Sequence, residues 1–291
     1  MMKELSTFRE VLVARDAMMR AMRMFFYERG FLEVETPIRL PAPCLEEYID
    51  AIPADGAFLR TSPELHMKRL LCAGYDKIFC VGSCFRRHEF GRLHNPEYTM
   101  LEWYRTRADY MDILDDLRLL VGSVNQQLGG EELPEWSIMT VSEAFLKYAG
   151  WDPAEEYDAD RFDLDLLDKV EPALKELGVV VLKEYPAAAA ALSRKKPENT
   201  KVAERFELYI NGIEIANAYS ELTDASEQRQ RFEECAEARD AANKEVYPLD
   251  EAFLSALEQG MPECGGIAVG MDRLLMVLLG KTSLDEILPF R

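Results

Sequence analysis

Apolar side chains near the start of the chain recur every three or four positions: Phe8, Val11, Ala14, Met18, Met22 and Phe25. This period predicts an amphipathic helix over residues 7 to 29, which ends at Gly30. Residues 31 to 35 then alternate between apolar and polar side chains, as a half-buried strand does. The chain is therefore expected to open with a helix followed by a strand.

Later segments mix short strands with helices. Apolar runs predict strands at 78–82, 98–104, 179–184 and 267–269, and periodicity predicts helices at 109–122, 187–192 and 272–279. The clearest hairpin signal is Asn211-Gly212 between residues 206–210 and 213–219. Because strands and helices do not alternate regularly, we expect an α+β fold, with an antiparallel sheet flanked by helices. Repeats and interdomain linkers are absent, so residues 1–291 are expected to form a single domain.

The composition narrows the class of protein. Hydrophobic residues make up 48% of the chain and charged residues 30%, which is typical of a folded domain. No apolar run approaches the roughly 20 residues that a membrane span needs. Six cysteines in 291 residues do not indicate a disulfide framework, so a cytoplasmic location is expected. The net charge of -19 argues against a general nucleic-acid binder, which spreads Lys and Arg over a face.

Against this acidic background, residues 86 to 104 gather three arginines: Arg86, Arg87 and Arg92. Arginine suits phosphate because its planar fork donates two parallel hydrogen bonds. A surface loop of salt bridges is the alternative interpretation. Tyr98 could stack on a base or pack in the core. Glu102 and Tyr104 share one face of the predicted strand, and a carboxylate beside a phenol suits an ammonium group.

Three other segments carry candidate chemistry. Ser62-Pro63-Glu64 either lines a site or merely opens a helix. Glu214 and Glu221 could share a Mg²⁺ ion, but their odd spacing requires a bulge or a strand end between them; otherwise they are solvated acids on an edge hairpin. Residues 265 to 273 combine glycines with Arg273, which indicates either an anion site at a helix N-terminus or a tight turn. Cys80 and Cys84 could bind a metal, or could be buried small side chains.

Together these segments resemble the catalytic domain of class II aminoacyl-tRNA synthetases, nearest to the lysyl branch. Residues 30–37 resemble the first motif of the class, 84–104 the second and 270–274 the third. Residues 94–102 and 217–222 point to the lysine branch. The resemblance implies an antiparallel sheet with flanking helices and a homodimer.

The first motif starts close to the beginning of the chain, so no anticodon-binding domain is expected. Without that domain, the sequence resembles the family of elongation factor P–(R)-β-lysine ligases. The resemblance implies an ATP-dependent ligase that activates lysine or (R)-β-lysine as an adenylate and transfers it to a lysine side chain of elongation factor P. It also implies Mg²⁺ and no recognition of a tRNA anticodon. The sequence does not separate the two lysine isomers.

Transferred residue by residue, the resemblance implies a catalytic role for Arg86 and Arg273. It implies ATP contacts for Arg86, Arg87, His88, Asn95, Tyr98, Glu214, Ile215, Gly270 and Arg273. It implies a substrate pocket of Ser62, Glu64, Glu102, Tyr104 and Glu221, with Glu214 and Glu221 as metal ligands.

The second motif departs from the usual Arg-x-Glu pattern. Two residues after Arg86 stands His88, and the glutamate follows one position later, as Glu89. Counting back from His94 makes Arg86 the matching arginine, whereas a shifted loop would pair Arg87 with Glu89. Two other functions stay open from the sequence: a truncated lysyl-tRNA synthetase paralogue that charges tRNA, and a non-catalytic sensor of lysine or ATP.

Overall fold

The computed structural model describes residues 2–291, with side chains from residue 5 onward. Its α-helices are α1 (Met2–Thr7), α2 (Arg9–Glu28), α3 (Glu64–Cys72), α4 (Tyr110–Gln127), α5 (Val141–Tyr148), α6 (Ala159–Asp165), α7 (Glu171–Leu177), α8 (Ala225–Ala241), α9 (Glu251–Glu258) and α10 (Met271–Leu278). Its strands are β1 (Leu32–Glu33), β2 (Arg39–Leu40), β3 (Pro53–Ala54), β4 (Ala57–Leu59), β5 (Lys77–Phe85), β6 (Glu97–Thr106), β7 (Ser137–Thr140), β8 (Val179–Lys183), β9 (Lys195–Lys196), β10 (Asn199–Ala203), β11 (Arg205–Ile210), β12 (Ile213–Ser220) and β13 (Cys264–Gly270). A π-helical turn, Leu166–Val170, joins α6 to α7.

Eight strands form the central sheet, in the order β1-β5-β6-β13-β12-β11-β8-β7. The pairs from β5 to β8 are antiparallel, and β1 and β7 lie parallel to their neighbours at the two edges. The predicted α+β fold with an antiparallel sheet and flanking helices is therefore confirmed. The assignment of residues 1–291 to a single catalytic domain stays a prediction.

One face of this sheet is covered by α2, α4 and α10. Leu101 and Trp103 of β6 point into that core, where the rings of Trp103 and Phe26 have centroids 5.2 Å apart. Because side chains alternate along a strand, Glu102 and Tyr104 face the opposite side. The sheet thus separates the apolar core from the face that carries the predicted site residues.

The hairpin predicted at Asn211-Gly212 is confirmed. Both turn residues have positive φ angles, 53° and 74°, as a type I′ turn requires. Beyond the turn, Tyr209 pairs with Glu214, whereas Leu208 pairs with Ala216, so β12 contains one extra residue at this point. This β-bulge changes which residues of β12 face the site.

The predicted helix over 187–192 is wrong, because the structure has a single 3₁₀ turn at Ala187–Ala189. A run of five alanines is too short to nucleate a helix on its own. Ala191 has a positive φ of 50°, which ends helical geometry, and the chain then buries Leu192. The helix predicted at 7–29 is confirmed as α2, but the separate helix α1 was not predicted.

The cysteines and the helices bear on two questions raised by the composition, whether Cys80 and Cys84 bind a metal and whether a helix spans a membrane. All six cysteines lie in the described part of the chain and are free, and Cys80 and Cys84 are buried. Over residues 2–291, no three His, Cys, Asp or Glu side chains converge as metal ligands would, so the interpretation of Cys80 and Cys84 as buried small side chains is favoured. Within the same range, no helix is both long and apolar enough to cross a membrane.

Candidate active site

The substrate end of the site is centred on Glu102 of β6. Its carboxylate accepts a hydrogen bond of 2.6 Å from Ser62 Oγ and one of 2.9 Å from Tyr104 Oη. The side chain is buried, with 1% exposed. Burial, and then the charge of Glu64, raises the pKa of Glu102 to about 8. The structure thus brings together four of the five residues predicted for the amino-acid pocket.

The fifth, Glu221, reaches the same pocket through Lys68. Lys68 Nζ lies 2.5 Å from Glu64 Oε1 and 2.6 Å from Glu221 Oε2, and its side chain is fully buried. The two carboxylates raise the pKa of Lys68 even though burial alone lowers it. Burial raises the pKa of Glu221 to about 7, and Lys68 opposes that change. The pocket therefore contains three carboxylates and one buried ammonium group.

Two glycines of β13 make room for side chains on the two faces of the sheet. A Cβ on Gly266 would lie 2.3 Å from Glu221 Oε1 and 2.3 Å from Tyr104 Cε1, on the side of the pocket. A Cβ on Gly265 would lie 2.5 Å from Ile113 Cγ1, on the core side of the sheet. These distances are shorter than van der Waals contact, so a side chain at either position would displace its neighbours. Gly266 therefore makes room for the pocket, and Gly265 makes room for the core.

The bulge in β12 decides where Glu214 lies. With one extra residue between them, Glu214 and Asn217 face the same side of the sheet as Glu207 of β11. Glu214 and Glu221 nevertheless stand at opposite ends of β12, roughly 20 Å apart along the strand at about 3.3 Å per residue. The carboxylate of Glu214 lies beside Arg273, whereas that of Glu221 lies beside Lys68. The bulge that the odd spacing required is present, and the metal roles of Glu214 and Glu221 stay predictions.

Arg86 lies at the other end of the site, after β5. Its guanidinium group lies 3.7 Å from Glu89 and 5.2 Å from the ring centroid of Tyr98. Tyr98 Oη donates a hydrogen bond of 2.8 Å to the carbonyl oxygen of Thr61. Among the described residues, nothing accepts a hydrogen bond from the buried Nε of Arg86. Of the two registers left open by the sequence, the structure has the one that pairs Arg86 with Glu89.

Arg273, near the start of α10, connects the loop before β6 to β12. Its Nε donates to the carbonyl of Leu93 at 3.1 Å, and its NH2 lies 2.7 Å from His94 Nε2. Its NH1 lies 3.3 Å from the carboxylate of Glu214. Burial, and then the charge of Glu207, raises the pKa of Glu214, while Arg273 lowers it. Arg86 and Glu214 thus lie on either side of a cleft that also contains Arg273.

The three arginines of the second motif do not converge, contrary to the expectation that they surround one anion. The side chain of Arg87 is exposed to solvent. Arg92 donates a hydrogen bond of 2.5 Å to the carbonyl of Thr282, which lies far along the chain. That long-range contact directs Arg92 away from Arg86, so Arg86 and Arg273 form the cationic part of the site.

The remaining residues predicted to contact ATP differ in how exposed they are and in what they contact. His88 is exposed and has a positive φ of 67°. Asn95 Nδ2 donates to the carbonyl of Glu97 at 2.7 Å, which orients its amide. The side chain of Ile215 lies in the apolar core, and its carbonyl oxygen lies near Gly270, 3.8 Å from a Cβ built there. The ATP contact of Ile215 stays a prediction, and the buried side chain leaves the backbone of Ile215 as the part that could make it.

Comparison with known proteins places this geometry in a family. The family model described as tRNA synthetases class II (D, K and N) matches residues 3–291. The chain belongs to that family. Within it, the predicted first, second and third motifs correspond to the end of α2 with β1, to β5 and β6, and to β13 with α10.

Three curated relatives within this class II synthetase family are named elongation factor P--(R)-beta-lysine ligase. The relative from Photorhabdus laumondii is 38% identical over 96% of this chain and 94% of its own length. The relative from Hamiltonella defensa is 36% identical, with the same coverage. The relative from Proteus mirabilis is 38% identical over 92% of this chain and 90% of its own. The resemblance to that group, predicted from the motifs, is confirmed.

Sequence reasoning missed Lys68 and Glu207. Lys68 stands between Met67 and Leu71 on the buried face of α3, and a lysine on an apolar face was a usable signal. Glu207 is buried on β11 and accepts hydrogen bonds from Tyr185 at 2.6 Å and Tyr209 at 2.7 Å. Its acidic character in an otherwise apolar strand was likewise visible in the sequence.

Arg291 is a further residue that was missed. It donates to the carbonyl of His94 at 2.7 Å and contacts the carbonyl of Gly91 and the carboxylate of Asp285. Its guanidinium group also lies 4.6 Å from the ring centroid of Phe90. The loop between β5 and β6 is therefore fixed by a residue almost 200 positions away, which no local pattern reveals.

Proposed function

We propose that this protein activates lysine or (R)-β-lysine with ATP and transfers it to a lysine side chain of elongation factor P. The observation that supports this most strongly is the cleft with carboxylates around Glu102 at one end and Arg86 with Arg273 at the other. Such a cleft suits a substrate with ammonium groups and a reacting carboxylate beside a polyphosphate. The printed names of the three relatives support the same acceptor and the same amino acid.

In the first step, the substrate carboxylate attacks the α-phosphorus of ATP and pyrophosphate leaves. The carboxylate is ionised at neutral pH, so this step needs no general base. The obstacle is the repulsion between two anions. Arg86 would offset it and stabilise the charge that develops on phosphorus, because its guanidinium group is already held between Glu89 and Tyr98. Arg273 would hold the distal phosphates.

The donor set near Arg273 fits a Mg²⁺ ion that accompanies ATP. Glu214 provides hard oxygen ligands, its pKa is raised by burial and by the charge of Glu207, and Asn217 Oδ1 is buried without a partner in the described part of the chain. Magnesium in nucleotide sites is held by one or two carboxylates together with phosphates. When bound, the ion would neutralise phosphate charge, with Glu214 as the ligand of this chain that we propose.

In the second step, the amine of the acceptor lysine attacks the activated carbonyl and AMP leaves. That amine is protonated at pH 7, with a reference pKa of about 10.4, so it has to lose a proton on docking. The charge of this protein and the free state of its six cysteines agree with a cytoplasmic reaction on a protein acceptor.

ATP–pyrophosphate exchange with α-lysine, (R)-β-lysine and other amino acids tests the proposal. We expect exchange with lysine or its β-isomer, followed by transfer of radiolabelled amino acid to purified elongation factor P. Charging of total tRNA instead would contradict the proposed acceptor. Binding of lysine and ATP without exchange would contradict the enzymatic function and indicate a sensor.

We further propose that the protein acts as a homodimer through α2 and the segment that follows it. Large apolar side chains are exposed there: Leu12, Val13, Met24, Tyr27, Leu32 and Ile38. An apolar patch of this kind on a folded protein marks an interaction surface. Light scattering after size exclusion should give twice the mass of one chain, and Val13→Glu should give a monomer. A wild-type protein that stays monomeric at tens of micromolar would contradict this proposal.

A further inference from the structure

We propose that Lys68 is a positioning residue that sets the net charge of the amino-acid pocket to match a substrate with two ammonium groups. The inference rests on the proposed function and extends it to substrate selection. Lys68 would not touch the reacting atoms. It would act through Glu64 and Glu221, whose carboxylates its ammonium group bridges.

The geometry of Lys68 is that of a clamp between two elements. Glu64 lies one turn before Lys68 on α3, whereas Glu221 follows the last residue of β12. Lys68 Nζ contacts one oxygen of each, and Glu221 presents its other oxygen, Oε1, over Gly266. The clamp thus fixes the position of both acids before any substrate arrives.

The charges of the pocket can be counted. In the complex with a diammonium substrate, whose positive charges favour ionised carboxylates, Glu64, Glu102 and Glu221 supply three negative charges and Lys68 supplies one positive charge, which leaves two negative charges. Both lysine and (R)-β-lysine carry two ammonium groups, and their carboxylate is expected to pair with Arg86. The net charge of the pocket, minus two, therefore balances the two positive charges of the ammonium groups.

Other titratable groups around Lys68 do not change this count. Tyr104 faces the pocket from β6, and burial raises its pKa far above neutrality, so it is uncharged. Cys72 of α3 and Cys264 of β13 also face Lys68, and burial raises the pKa of both thiols. Within the described residues, Lys68 is the cation in direct contact with the pocket acids.

Without Lys68, three acids would face one another in a buried space. Like charges at such distances force one carboxyl group to take up a proton. The substrate would then have to expel that proton when it binds, and both glutamates would lose their fixed position. Methionine is apolar and similar in length to lysine, so Lys68→Met removes the positive charge and keeps most of the packing of the side chain.

The experiment compares Lys68→Met with the double variant Lys68→Met/Glu64→Gln. The double variant removes one positive and one negative charge, so the net charge of the pocket stays at minus two. We expect Lys68→Met to raise the Kd of lysine at least tenfold in isothermal titration, with the Kd of ATP changed less than twofold. We expect the double variant to bind lysine with a Kd at least threefold lower than that of Lys68→Met. Lys169→Met, which removes an exposed lysine paired with Asp165 on the π-helical turn, is the matched control and should bind like the wild type.

The number of protons released on lysine binding distinguishes a charge role of Lys68 from a role in packing alone, because loss of packing would not change it. Titration of lysine at pH 7 in two buffers of different ionisation enthalpy measures the protons released on binding. Lys68→Met should release about one proton more than the wild type, because one acid holds an additional proton before the substrate arrives. The double variant should return to the wild-type value.

The outcomes separate this inference from the proposed function. A wild-type protein that does not bind lysine contradicts the proposed function before any variant is made. Lysine affinity of Lys68→Met within twofold of wild type, or a double variant no better than the single, overturns the role of Lys68. Should Lys68→Met fail to fold, the double variant and Lys68→Arg both keep the net charge, and failure of both to bind lysine overturns the inference as well.

Discussion

The two ends of the cleft are built in different ways. At the amino-acid end, Glu102 and Glu221 are 1% and 2% exposed, and each carboxylate already has a partner from this chain. At the phosphate end, the side chain of Glu214 is 42% exposed, and Arg86 keeps a buried N–H for which the described chain offers no acceptor. The carboxylates proposed to bind the amino acid are therefore already paired within this chain, whereas the residues proposed to bind phosphate keep an unused donor. Substitutions at the two ends should fail in different ways.

The largest effect is expected at the phosphate end, from Arg86→Ala. Removing one preorganised cation from the transition state costs about 10²- to 10³-fold in rate. We expect that loss in lysine-dependent ATP–pyrophosphate exchange, with an unchanged circular-dichroism spectrum. Arg118→Ala, on the surface of α4, is the control and should keep wild-type exchange. Exchange in Arg86→Ala near the wild-type rate would refute the catalytic role.

Glu102→Gln tests the preorganised end. Loss of a charge-assisted hydrogen bond to an ammonium group should weaken lysine binding roughly 10- to 100-fold. ATP binding should change little, because Glu102 lies away from Arg86 and Arg273. Isothermal titration with each ligand separately measures both effects. Equal losses for the two ligands would show that the ends are not independent.

Arg291→Ala should loosen the phosphate end without touching the pocket. Arg291 holds the loop through the carbonyls of His94 and Gly91, next to the contact between His94 and Arg273. We expect the KM for ATP to rise a few-fold, on the order of one lost hydrogen bond. The KM for lysine should stay as in the wild type. A larger change in the KM for lysine than for ATP would contradict this assignment.

The smallest expected effect is on stability. The carboxyl group of Glu102 has a pKa of about 8 in the fold, against 4.5 for an ordinary glutamate. The folded protein therefore holds more protons than the unfolded chain between these values, and its stability falls as the pH rises through that window. We expect the Tm without substrate to drop by a few degrees between pH 5.5 and 8.5, and to drop less in Glu102→Gln. Equal pH dependence in both proteins would contradict the raised pKa.

Local patterns in the sequence predicted much of the fold and part of the arrangement of the candidate site. Alternation along β6 placed Glu102 and Tyr104 on one face, and the Asn211-Gly212 turn gave the hairpin, because both depend on neighbouring residues alone. The direction of Arg92 depends on Thr282, and the clamp at Lys68 depends on the meeting of α3 with the end of β12. Contacts between such distant segments arise from tertiary packing, which one sequence without relatives does not display.

The same limit explains the metal prediction. The identity of Glu214 as a candidate ligand came from residue type, whereas its neighbour Glu207 became visible only when β11 and β12 were paired. Spacing along one strand suggested Glu221 as the second ligand, whereas the structure places Glu221 in contact with Lys68. Residue type alone named the candidates, but it did not show which of them lie together.

The additional residue in β12 has a consequence for how this strand can vary. Glu214 and Glu221 are seven positions apart, yet they serve opposite ends of one cleft because Ile215 restores the alternation between them. Deleting a single residue between Glu214 and Glu221 would make one of the two side chains point into the apolar core, even if every other residue stayed the same. We therefore expect the strand to accept many replacements of its side chains but no shortening or lengthening by one.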